Sequence, residues 1–310
     1  MKTNKRFFII ILILIFIISA CEDMSNVKGI REKGKLNEEP TIKVDLANGQ
    51  SETLKLEEYI LGVVAGEMEN GWGENAYAAQ AILARTFALK YMEEKNTNSI
   101  SSSFDQAQEY NSGKITDTIK KAVEKTRGVV AMHKEDYIKG WFHASAGGQT
   151  SSAKVGLAYP EEEPLYIKSV KSPDQDAPEE IKNWNISISF REIEESLKKM
   201  GENIGQLKEI KILDKDKAGR VIEFNIKGTG GAATISAANF RKEIGPKKLK
   251  STKIKNIKKE DSSYLFNGSG FGHGVGMSQW GAYSMAKKGK KAEDIVSYYF
   301  KDIEIVRVYD

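Results

Sequence analysis

The chain has 310 residues, 40% hydrophobic and 29% charged, enough to bury one large core or two modest ones. The formal charge is +4, and setting aside Lys2, Lys5 and Arg6 leaves the rest within one charge of neutral, so nothing in the bulk electrostatics points to nucleic acid as a partner. The only cysteine is Cys21, which excludes an intrachain disulfide.

Residues 7–20 are apolar apart from Ser19 and follow the basic start of the chain. The run is shorter than the roughly 20 residues a membrane-spanning helix needs, so residues 1–20 read as a signal peptide. Ile18-Ser19-Ala20-Cys21 resembles the lipobox of bacterial lipoproteins. It implies lipid attachment at Cys21 and a lipid-anchored position on the outer face of the cytoplasmic membrane. Residues 21–42 read as a polar tether.

Beyond the tether, residues 41–46 predict a first strand. Helical spacing of apolar residues predicts helices over 56–68 and 75–93, separated by a turn at Gly71-Trp72-Gly73. A helix over 116–126 and a hairpin of 129–132 with 137–142 follow. Prolines and the acidic run at 160–178 mark a crossing into a second lobe. There the pattern predicts a strand over 184–190, a helix over 191–200, a hairpin over 207–227 turning near 216–219, an extension at 234–236 and a helix over 238–244. From about residue 264 the chain is expected back in the first lobe, with helices over 278–287 and 292–299 and a strand over 303–309. The fold class is α+β: a helix-rich catalytic lobe (43–160 and 264–310), a second lobe with antiparallel strands (161–263), and a substrate groove between them. The lysine-rich run from Lys247 to Lys259 reads as a solvated face, with contact to an anionic polymer or lipid surface as the alternative.

Three segments carry chemistry. In the first, Ile60, Val64 and Glu67 fall at i, i+4 and i+7, which sets a carboxyl on the apolar face at a helix end. Desolvation and the negative end of the helix dipole both raise its pKa toward what a general acid needs, while a Glu at a fraying helix end is the plainer reading. Gly62, Ala65 and Gly66 are expected to thin the helix so that a polymer can approach. In the second, glycines 268, 270, 272, 274 and 276 surround His273, and the loop is expected either to offer backbone N–H groups to a ligand or to serve as a structural turn. In the third, His143 and Ser145 precede Gly147-Gly148, and Ser151 with Lys154 forms an S-x-x-K spacing of the kind used by serine acyl-enzymes, though its companion motifs are missing.

In order and combination these segments resemble the stage II sporulation protein D family. The resemblance runs through residues 57–68, then 76–88 with Gln80, Arg85 and Thr86, then Asp105, Gln108 and Tyr110, His143 with Gly147, Gly148 and Thr150, Phe240-Arg241, Ser251-Thr252 and the segment ending at Met277-Ser278-Gln279-Trp280-Gly281-Ala282. It implies a lytic transglycosylase that cuts peptidoglycan glycan strands stripped of stem peptides, leaving 1,6-anhydro-muramic ends, with Glu67 as the catalytic group. Arg85, His143, Ser145, His273 and Gln279 are then the candidates for holding substrate. Some family members bind zinc through cysteines near the His143 segment; this chain has none there, so neither a metal nor another cofactor is expected. The implied partners are peptidoglycan and the membrane, together with the stage II sporulation proteins P, an amidase, and M, at the septal or engulfing membrane of a sporulating cell. The alternative is a non-catalytic glycan-binding scaffold for a partner amidase.

Overall fold

The computed structural model describes residues 31–32, 36–46, 49–102 and 108–310. The signal peptide, Cys21 and Asp105 lie outside the described residues.

The protein is α+β, built around two separate hydrophobic cores. In the first, strand Thr41–Asp45 buries Ile42 and Val44 on one face and pairs antiparallel with Ser51–Lys55 and parallel with Ser99–Ser101. Helix α1, Leu56–Glu67, follows directly; the Glu58 carboxylate accepts from the Lys55 N–H at 3.1 Å, so its first turn is capped. Helix α2, Glu74–Lys95, is buried on nearly all sides, and its alanines let other elements approach closely. Helix α3, Asp117–Lys125, packs on α2 with the Thr116 hydroxyl as its cap. Strand Val129–His133 lies antiparallel to Glu304–Arg307, whose other side pairs in parallel with Arg31–Glu32. The expected tether is therefore already part of the fold at Arg31.

The second lobe contains two antiparallel three-stranded sheets. Ala232–Ser236, Val221–Gly228 and Leu207–Lys215 form one; Ile254–Lys259, Ser263–Gly268 and Trp184–Ser189 form the other. Helices α4, Phe190–Lys199, and α5, Ala237–Ile244, belong to this lobe, whose core centres on Phe224, Phe240 and Phe266. The chain then returns through Met277–Ser278 to α6, Gln279–Lys287, and α7, Ala292–Tyr299, in the first lobe.

Several boundaries differ from the sequence reading. Ser263–Gly268 completes a second-lobe sheet, so the return comes at Val275 rather than near residue 264, while Ile167 still packs in the first core. Phe142–His143 leaves the expected hairpin: Gly140 turns the chain at φ +59° against the backbone of α2, and the strand pairs with Met277–Ser278 instead. The lysine run contains the strand Ile254–Lys259, and most of its lysines are engaged by the protein: Lys248 with Glu192, Lys250 with the Glu180 carbonyl (2.8 Å), Lys253 with the Gly147 carbonyl (2.7 Å) and Lys255 with Asn183 (2.6 Å).

Arg85, expected to hold substrate, is instead fully buried beneath α1. Its Nε and Nη2 donate to the two Glu57 oxygens at 2.8 and 2.6 Å, and its Nη1 to the Val129 carbonyl at 2.8 Å. Tyr309 Oη and the Gly128 N–H also donate to Glu57, at 2.6 and 3.1 Å. Burial by itself would raise the Glu57 carboxyl, but Arg85 and these donors outweigh it and hold the group ionised. Replacing Glu57 with Gln strands the buried guanidinium and is expected to cost about 3–5 kcal/mol, read as a lowered urea midpoint.

Candidate active site

A groove of about 1080 Å³ runs between the lobes. Its first-lobe wall is made by the end of α1, Trp72, the 108–114 segment, Trp141 to Ala144 and the start of α6; its second-lobe wall is α5 and the turn after it. Trp72 and Trp280 pack edge-on with centroids 4.7 Å apart, and Tyr283 joins them. Such rings offer apolar faces that suit the flat sides of sugars.

Glu67, the last residue of α1, is half-buried in this groove. Its Oε1 accepts the Glu109 N–H at 2.7 Å, and its carboxyl also accepts from the Gln279 side chain. Burial pushes its pKa up to about 7, and the negative charge of Glu109 adds to the rise, against the lowering effect of the two hydrogen bonds. The carboxyl is therefore partly protonated at neutral pH. Behind Gln279 stands Gln80, fully buried, whose Oε1 accepts from Gln279 Nε2 at 3.5 Å.

The small residues on α1 do not clear a path for a polymer. A Cβ on Gly62 would lie 2.1 Å from the Tyr110 ring, and one on Gly66 would lie 2.6 Å from the Glu109 carbonyl. The space is filled by residues 109–111, whose Asn111 N–H donates to the Gly62 carbonyl at 2.9 Å. The glycines thus bring Glu109 up to Glu67, a neighbour that no local pattern announces.

His143 and His273 both line the groove, with ring centroids 5.4 Å apart. His273 Nδ1 accepts from the Val275 N–H at 3.1 Å, which leaves Nε2 as the donor to the Phe142 carbonyl at 2.8 Å. His143 Nδ1 donates to the Val275 carbonyl at 3.1 Å, leaving Nε2 as a buried acceptor with no partner among the described residues. Burial, reinforced by the positive charges of Arg220 and Arg241, lowers His143 to about 3; burial, His143 and the same arginines lower His273 well below the usual range. Both rings are neutral at physiological pH. Three of the four ring nitrogens are tied to backbone, and no group of three or more His, Cys, Asp or Glu side chains converges among the described residues.

The glycine-rich loop is a junction rather than a ligand cradle. Gly270, Gly272, Gly274 and Gly276 all have positive φ. Several of its N–H groups are already spent: Gly270 on Ile181, Phe271 on Ser145 and Gly272 on Lys250. Arg220 reaches from the second-lobe hairpin into the same loop, donating to the Gly272 carbonyl at 3.1 Å, and a Cβ on Gly274 would sit 2.2 Å from its guanidinium. Ser145 lies under the loop and donates to Asp174 at 2.9 Å, so it does not face the groove. Asp174 also accepts from Ser172 (2.6 Å), Ser278 (2.8 Å) and the Gly147 N–H (2.8 Å), drawing three segments together. Ser151 is buried and donates to Asp216, while the Lys154 ammonium donates to the Pro160 carbonyl at 3.3 Å, so the pair forms no nucleophile and base. Of the six residues expected at the site, Glu67, Gln279, His143 and His273 meet in the groove; Arg85 and Ser145 do not.

A family model described as stage II sporulation protein matches residues 47–133, and one described as a domain of unknown function matches residues 161–276. The stage II sporulation protein D of Bacillus subtilis is 31% identical over 84% of this chain and 76% of its own length. The chain belongs to the stage II sporulation protein D family. An uncharacterized protein of Brachyspira hyodysenteriae is 32% identical over 82% of this chain and 67% of its own length. The amidase enhancer of Bacillus subtilis is 23% identical over 77% of this chain and 39% of its own length.

Because Glu109 contributes to the raised pKa of Glu67, Glu109→Gln is expected to move the Glu67 titration midpoint below about 7, with burial keeping it above an ordinary glutamate. Carboxyl infrared or NMR titration against the unaltered chain measures the displacement.

Proposed function

We propose that this member of the stage II sporulation protein D family acts on the bacterial cell wall as a lytic transglycosylase of peptidoglycan glycan strands. The observation that carries the reading is Glu67: a carboxyl with its pKa raised to about 7, at the junction of two lobes, in a groove lined by tryptophans. Protonated Glu67 gives its proton to the glycosidic oxygen as the C1–O bond breaks. The resulting carboxylate takes the proton of the sugar's own C6 hydroxyl, whose oxygen closes onto C1. The product is a 1,6-anhydro end, the enzyme regains its proton, and no water is consumed. Gln279 holds the carboxyl in place, and the neutral His143 offers a hydrogen-bond acceptor toward the groove.

The relative named amidase enhancer supports a role beside an amidase, and the sporulation relatives support a cell-wall role in sporulation; septal wall remodelling with stage II sporulation proteins P and M is our proposal for that role. We propose that the protein sits on the outer face of the cytoplasmic membrane, anchored through Cys21, and propose no cofactor. Glu109 favours a second reading. Two carboxylates in one groove are the equipment of a hydrolase that activates water.

Digestion of peptide-free glycan strands by the unaltered chain and by Glu67→Gln tests the proposal, with products read by mass spectrometry. Anhydro ends are expected from the first, and a rate lower by about 10²–10⁴ from the second. The rate of the unaltered chain is expected to fall as pH rises through about 7, since the proton it needs is lost there. Binding without cleavage by both proteins would favour the scaffold instead.

A further inference from the structure

The two walls of the groove differ in charge. Glu67, Glu69 and Glu109 stand on the first-lobe wall with Lys114, whereas Arg241, Lys242 and Lys247 stand on the second-lobe wall with Glu243. Lys242 and Lys247 are exposed. Arg241 is half-buried, and its Nε and Nη2 donate to the Lys250 and Pro246 carbonyls at 3.1 and 3.3 Å, which fixes the guanidinium against the turn that carries Lys247. Its field reaches the floor of the groove, where it opposes protonation of both His143 and His273. Lys248, Lys250, Lys253 and Lys255 are engaged by the protein itself, so within the lysine run it is Lys247 that faces the groove.

An uncharged polysaccharide gives such a wall little to bind. In a glycan strand whose alternate sugars carry a lactyl ether, the lactyl carbonyl is a neutral amide while a peptide is attached and a carboxylate once the peptide has been removed. Resting on the glycan reading above, we infer that Arg241, Lys242 and Lys247 form a subsite for the lactyl carboxylate of peptide-free strands, across the groove from Glu67. The cationic wall would hold the strand through charge-assisted hydrogen bonds while the acidic wall receives the glycosidic bond. Selection for strands already trimmed of peptide then has named residues behind it, Lys242 and Lys247 foremost, because both are free to swing toward the ligand.

The test uses the full chain in detergent carrying Glu67→Gln, so that binding is read without cleavage. Three probes are compared by fluorescence anisotropy: peptide-free strands, the same strands with their carboxylates capped as methyl amides, and chitin oligosaccharides, which lack the lactyl group. The uncapped strands are expected to bind roughly five- to tenfold more tightly than the other two, a difference that shrinks at high salt and disappears when Lys242→Gln and Lys247→Gln are added. Equal binding of capped and uncapped strands, or a preference that survives the double substitution, would overturn the subsite while leaving the glycan reading intact. Failure of all three probes to bind would overturn that reading and the subsite with it. Both lysines are exposed, so an unchanged thermal melt is expected for the double variant and serves as its folding control.

Discussion

The ion pair between Glu57 and Arg85 fixes the base of the helix whose far end carries Glu67. Twelve residues of α1 span about 18 Å, so a small tilt at Glu57 becomes a large displacement at the groove. Five donors converge on this buried pair's surroundings: three from Arg85, one from Tyr309 and one from Gly128. They tie α1 to α2, to the strand Val129–His133 and to the end of the chain. A buried charge pair is weak evidence of stability in itself, but with its hydrogen bonds satisfied it specifies one arrangement, because any shift leaves a charge unpaired in the core.

The second constraint sets one lobe against the other. Arg220 is fully buried in the glycine-rich loop and donates to carbonyls on both sides of it, Gly272 at 3.1 Å and Ala146 at 3.4 Å. Burial lowers its pKa to about 10, with Asp216 and Asp174 opposing the drop, so it remains charged at neutral pH. Asp174 in turn gathers Ser145, Ser172, Ser278 and the Gly147 N–H. Since Ser278 also caps α6, whose first residue Gln279 holds Glu67, the same buried network that docks the lobes also places a ligand of the acid. The positive-φ glycines are what this packing requires: at Gly274 and Gly276 a side chain would collide with Arg220 and with the Trp141 carbonyl.

Much of this was legible in the sequence where periodicity is strong. The helices Leu56–Glu67 and Ala292–Tyr299, and the hairpin around residues 216–219, follow from apolar spacing, and so does the placing of Glu67 on a buried face. Ser51–Lys55 was missed because its side chains are almost all exposed and give no alternation. Ile254–Lys259 was hidden by its lysines, since only Ile254 is buried. Arg85 and Ser145 read as site residues from their positions in the segments that carry the family resemblance; only the fold shows that Glu57 and Asp174 have claimed them. Glu109 reaches the site through a tertiary approach across Gly66 that no local pattern records.

The proposed reaction turns on whether the sugar's own hydroxyl or a water molecule attacks C1, given that Glu109 stands beside Glu67. Digestion of peptide-free glycan strands in water enriched in 18O, with mass spectrometry of the newly formed muramic ends, decides between them. The account requires ends lighter than the hydrolysed sugar by one water and free of label. Ends carrying one 18O at C1 would contradict it and identify water as the nucleophile.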